Sequence, residues 1–125
     1  MNPICPYCGE ESKLVKGEEV YCGFESLKDK PYYECLPCDA HVGCHINTLV
    51  PLGTLADYNL RKARRQAHLT FDEVWKTYGM SRNHAYSWLS RQTRIPYKEC
   101  HIGMMDTGQC ELVILIVNQF KDTWK

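Results

Sequence analysis

Cys5 and Cys8, then Cys35 and Cys38, form two Cys-x-x-Cys pairs separated by 26 residues. Each pair lets one tight turn aim two thiolates at a single point, and two such turns supply the four soft ligands of a tetrahedral Zn²⁺ site. Gly9 directly after Cys8 permits a sharp reversal of the backbone, and Pro6 and Pro37 stiffen the two turns. The competing readings are redox thiols or two disulfides. A thioredoxin-like Cys-x-x-Cys opens a helix after a buried strand, and neither pair here stands in that setting. The spacing therefore predicts structural zinc on Cys5, Cys8, Cys35 and Cys38, with His41 or Cys44 as the one credible replacement for Cys38.

A ribbon must hold those turns. Lys13 to Lys16, Glu19 to Phe24 and Pro31 to Cys35 read as its strands, and the ribbon is expected to occupy residues 1–50. Val50-Pro51-Leu52-Gly53 then connects it to a helical region over residues 51–125. Thr54 with Asp57 predicts a helix start by side-chain capping. From there Leu60, Ala63, Ala67, Phe71, Val74, Trp75 and Tyr78 recur every three or four residues, one apolar face running as far as Tyr78. A second capping pair, Thr70 with Glu73, leaves a break near Leu69 open.

Gly79 is expected to end that element and Ser81 to cap the next, which buries Ala85, Trp88 and Leu89 and stops before Pro96. Asp106 with Gln109, or Thr107, opens a last element to Phe120. Its run Val113 to Val117 has strand propensity, but the cap and a length beyond ten residues favour a buried helix. The expected class is α+β: a small zinc ribbon of β-hairpins with two knuckles, packed on a three- or four-helix C-terminal part.

Composition bounds the function. The N-terminus has neither the basic start nor the apolar core of a signal peptide, and the longest apolar run, Leu112 to Val117, is six residues. Eight cysteines without a secretion signal point to a reducing cytoplasm, and nothing suggests a membrane. The formal net charge is zero, yet the charges are segregated. Residues 1–57 carry four Lys against nine acids, a balance of −5, while residues 58–98 carry nine Lys and Arg against two acids, a balance of +7.

The ordered residues resemble the zinc-finger-containing domain family of unknown function found widely in phage and prophage genomes. The likeness runs from Cys5-Pro6-Tyr7-Cys8-Gly9 through Tyr33-Glu34-Cys35, Val42-Gly43-Cys44-His45, Pro51-Leu52-Gly53 and Leu55-Ala56. It continues through Ala67-His68, Phe71-Asp72, Val74-Trp75-Lys76, Met80-Ser81-Arg82, Ala85-Tyr86 and Trp88-Leu89 to Cys100-His101-Ile102-Gly103-Met104 and Cys110. The resemblance implies a zinc ribbon followed by helices in a phage-encoded protein of the bacterial host cell, and no established activity. Cys22 departs from the pattern, and its role stays open.

Outside the metal site, Arg61-Lys62-Ala63-Arg64-Arg65 is the main functional candidate. On a helix Arg61, Arg64, Arg65 and His68 fall on one face, suited to phosphate contacts on DNA or RNA. Trp75 to Leu89 has the turn chemistry of a helix-turn-helix, with Arg82, Asn83 and His84 at the head of the second helix. Trp75 argues against it, because the position four before the turn glycine is normally small. Cys44, His45, Cys100, His101 and Cys110 read better as core or backbone-bonded residues than as a second metal site, since none repeats a ligand spacing.

No Gly-rich phosphate loop, Ser/His/Asp set or His-Glu-x-x-His occurs, so no catalytic residue is expected. The leading expectation is a non-enzymatic nucleic-acid-binding module using Arg61, Lys62, Arg64, Arg65 and Arg82. The alternative is an adaptor or inhibitor that contacts a host or phage protein through aromatics among Tyr7, Tyr32, Tyr33, Tyr86 and Tyr97.

Overall fold

The computed structural model describes residues 1–121. The chain divides into two compact units, Met1–Tyr58 and one that begins at Asn59.

The first unit is built on a three-stranded antiparallel sheet in the order β1 (Lys13–Lys16), β2 (Pro31–Cys35), β3 (Ala40–Gly43). Two of the expected strands are β1 and β2, whereas Glu19 to Phe24 is not a strand. The chain leaves β1 through Gly17, whose N–H bonds to the Lys30 carbonyl at 2.8 Å, and makes one helical turn, α1 (Gly17–Val20). A Cβ on Gly17 would lie 1.6 Å from the Leu27 carbonyl oxygen, so only glycine allows this closure. Glu19 completes the turn by accepting the Lys16 N–H at 3.0 Å.

Alternation sorts the side chains of the sheet. Tyr33 and Cys35 of β2 and Ala40 of β3 point into a small core with Cys5 and Leu55. On the opposite face, Tyr32 and His41 meet Tyr21 edge to face, and the Tyr21 hydroxyl lies 2.9 Å from His41 Nε2.

The helix expected near Thr54 starts instead at Tyr58. The backbone of residues 51–56 is occupied by pairing back onto β3, where His41 and Ala56 exchange both N–H···O bonds at 3.0 Å and Leu52 donates to Gly43 at 2.9 Å. A segment paired in this way cannot also supply helical hydrogen bonds.

The second unit holds α2 (Tyr58–Thr77), α3 (Arg82–Thr93) and α4 (Thr107–Phe120). α2 runs unbroken through Leu69, because Ala67, Phe71 and Val74 stay in register with the core on both sides of the Thr70 position. Gly79, at φ +65°, ends it as a Schellman turn: Met80 N–H bonds to Trp75 and Gly79 N–H to Lys76. Ser81 caps α3 by accepting the His84 N–H. Phe71 and Tyr86 meet edge to face at 4.9 Å in a core completed by Leu89, Cys100, Ile102, Met105, Cys110, Val113 and Val117.

Residues 107–120 are helical despite their β-branched run. Asp106 and Gln109 form a reciprocal capping box, with Gln109 N–H to Asp106 Oδ1 at 2.8 Å and Asp106 N–H to Gln109 Oε1 at 3.1 Å. Asp106→Ala is expected to lower stability by about 1 kcal/mol, read as a shifted urea midpoint with an unchanged slope.

Candidate metal centre and basic surface

The first knuckle closes because Gly9, at φ +78°, donates its N–H to the Cys5 carbonyl at 2.9 Å, and Cys5 N–H returns to Glu10. The second is a single 3₁₀ turn over Leu36–Cys38 ended by Asp39 in the left-handed region. The Tyr7 hydroxyl braces the first knuckle by accepting the Asp57 N–H at 3.1 Å.

These turns bring the sulfurs of Cys5, Cys8, Cys35 and Cys38 within 4.8 Å of one another, and Cys8 and Cys35 lie 3.6 Å apart. A tetrahedron with metal–sulfur bonds of about 2.3 Å has edges of about 3.8 Å, so the four donors fit a zinc-sized ion. Among the described residues no other group of three or more His, Cys, Asp or Glu meets the same criterion. His41 is engaged with Tyr21 and is not among the four. Cys22 stands exposed on the turn after α1, also outside the cluster.

The clustered thiols shift one another's proton affinities in opposite directions. Burial pushes the Cys5 thiol up, but the backbone N–H groups of Tyr7 and Cys8, aimed at its sulfur, leave it lowered overall. Cys38 is pushed up to about 12, first by burial, then by its hydrogen bonds with Cys8, Cys35 and Cys5 and by the charge of Cys35. Four thiolates crowded together repel one another, and a dication removes that penalty and deprotonates all four.

A family model described as a zinc-finger-containing domain matches residues 1–120. The chain belongs to that family. No curated protein and no solved structure matches it. The family description and the four-sulfur donor set together support a bound metal ion in this zinc-finger-containing domain, with zinc the ion that best suits the donors.

The basic segment is rearranged relative to expectation. Arg64 does not belong to a solvent face: it is only 8% exposed, and its Nε–H donates to the Met105 carbonyl at 2.9 Å inside the second unit. It is therefore withdrawn from the phosphate-contacting set. Lys62 and Arg65 are exposed and Arg61 is half-buried. Burial lowers the His68 pKa, with Asp72 opposing that shift and Arg82 and Arg64 adding to it, so His68 contributes little charge near neutral pH. Of the expected set on α2, Arg61, Lys62 and Arg65 thus remain on its opening turns, and Lys76 is a further exposed cation in its last turn.

Arg82, Asn83 and His84 are exposed at the head of α3, and the Arg82 guanidinium lies over the Tyr86 ring at 4.9 Å. Trp75 is tied to Asp72 by a 2.8 Å bond from its indole N–H and packs against the core. Of the aromatics proposed for a protein interface, Tyr33 and Tyr86 are buried, Tyr32 is half-buried, and Tyr7 and Tyr97 are exposed. Cys100 and Cys110 are fully buried core residues, as free cysteines commonly are. Among the described residues no helix is long and apolar enough to cross a membrane.

Proposed function

We propose that this protein is a non-enzymatic nucleic-acid-binding module in which Zn²⁺ on Cys5, Cys8, Cys35 and Cys38 folds the first unit and Arg61, Lys62, Arg65 and Arg82 contact phosphates. The supporting observation is the grouping of Arg61, Lys62 and Arg65 on the opening turns of α2. Arg82, exposed at the head of α3, is assigned as a further phosphate contact. Such contacts give affinity without sequence information. A zinc held by four cysteines is coordinatively closed, so it organises the chain and does not activate water.

Binding to duplex DNA is expected to fall with salt at a logarithmic slope of about 0.9 per neutralised phosphate, or roughly 3.6 for four contacts. Changing Arg61 and Arg65 together to Ala should remove about 1.8 of that slope and weaken all sequences alike. A base-reading role for Arg82 or Asn83 would appear instead as lost discrimination between sequences. Fluorescence anisotropy over a salt series measures both. Absence of binding at low salt, where the electrostatic attraction is greatest, would remove the proposal. The reading that would replace it, contact with a host or phage protein, draws on the exposed Ile46, Leu49 and Leu52.

A further inference from the structure

The first unit carries an open cleft of about 960 Å³. One wall is the segment with Glu25, Asp29 and Lys30, the other is the loop 44–52, and Tyr32 lies at the floor. The loop wall is apolar and turned to solvent, with Ile46 88%, Leu49 56% and Leu52 53% exposed. A Cβ on Gly43 would stand 3.3 Å from the Tyr32 ring and 3.6 Å from Leu52, so the glycine keeps the floor open.

The loop is fixed before anything binds. His45 N–H bonds to the Val50 carbonyl at 2.9 Å, the Tyr33 hydroxyl to the Leu49 carbonyl at 2.7 Å, and the Thr48 hydroxyl to the His45 carbonyl at 2.8 Å. Aliphatic side chains held in water on a rigid frame lose little entropy on docking, which favours association.

Charge indicates the occupant. Residues 1–57 carry −5 and residues 58–98 carry +7, yet the whole chain is neutral, so two copies meet without net repulsion. The basic segment also presents an apolar match. Tyr58, Lys62, Arg65 and Leu69 follow one another at steps of four, three and four along α2, one face about 16 Å long. Tyr58 and Leu69 are each 60% exposed in the chain itself.

We propose that the cleft receives the Tyr58 to Leu69 face of α2 from a second copy, so that the protein associates head to tail. Tyr58 and Leu69 cover Ile46, Leu49 and Leu52, while Lys62 and Arg65 meet Glu25 and Asp29. Lys30 is the one opposing Lys on the rim. The surfaces differ, so the contact is heterologous: one copy keeps an unused cleft and the other an unused helix face, and further copies can add at both ends.

The test is sedimentation equilibrium on nucleic-acid-free protein, so its outcome does not depend on whether the basic helix binds DNA. Wild-type mass is expected to rise with concentration at low salt and to fall back toward the monomer at high salt. Ile46→Asp blocks the cleft and Arg65→Glu blocks the helix. Both positions are exposed, and an unchanged far-UV spectrum verifies folding. Each variant alone should associate at least about tenfold more weakly. Mixed in equal amounts they should form a complex that stops at one to one, through the intact cleft of Arg65→Glu and the intact helix of Ile46→Asp. A monomeric wild type at low salt, a variant that associates like wild type, or a mixture that stays monomeric would each overturn the proposal.

Discussion

Cys5→Ser is expected to abolish stoichiometric zinc binding and to unfold residues 1–58, while much of the helicity of α2, α3 and α4 persists. Cys5 is fully buried, and its sulfur is the one at which two backbone N–H groups converge. The core of the first unit consists of Cys5, Tyr33, Cys35, Ala40 and Leu55, so two of its five members are themselves ligands. A unit of this size buries too little apolar surface to fold securely without a cross-link or metal. Zinc binding coupled to folding supplies on the order of 10 kcal/mol or more, far above any other single interaction in the sheet.

Elemental analysis should give one zinc per wild-type chain and far less for the variant. Chelator should reproduce the variant's spectrum, with tertiary signal lost and helical signal largely kept. Because the ligands must be thiolates, binding releases protons, and the metal should be lost as pH falls and retained as it rises. Native protein without zinc would refute the metal assignment. Complete loss of helicity on chelation would show instead that the two units fold as one.

The metal site was legible because its signal is local. Two Cys-x-x-Cys turns state their own geometry, and what remains is for the sheet to bring Cys5 and Cys8 to Cys35 and Cys38. The end of α2 and the starts of α3 and α4 were legible for the same reason, since Gly79, Ser81, and Asp106 with Gln109 act on backbone groups three to five residues away. Errors arose where a distant partner decided the conformation. The turn at Gly17 depends on the carbonyls of Leu27 and Lys30, and the late start of α2 depends on β3 capturing residues 51–56. The cleft of the first unit has no sequence signature, because its walls are ten or more residues apart and meet only through the β2 and β3 pairing.

Arg64 shows a readable signal that its charge obscured. Leu60, Arg64, Ala67, Phe71 and Val74 are buried at steps of four, three, four and three, so Arg64 stands in register with the apolar stripe of α2. Assigning it to one face with Arg61, Arg65 and His68 overlooks that it lies four residues after Leu60 and three before Ala67, on the buried side.

The energetic consequence is testable and large. Removing the side chain by Arg64→Ala deletes a charge-assisted bond to the Met105 carbonyl, leaves that acceptor without its Arg64 donor, and opens space beneath α2. Together these should cost about 3 kcal/mol. Arg64→Met restores the packing of the aliphatic stem without the guanidinium and should recover only part of the loss. Arg65→Ala, one residue further on an exposed face, should change stability by no more than about 0.5 kcal/mol. Urea unfolding followed by helical signal distinguishes the three. A midpoint for Arg64→Ala as close to wild type as that of Arg65→Ala would mean that Arg64 is a surface cation after all, and it would then return to the phosphate-contacting set on α2.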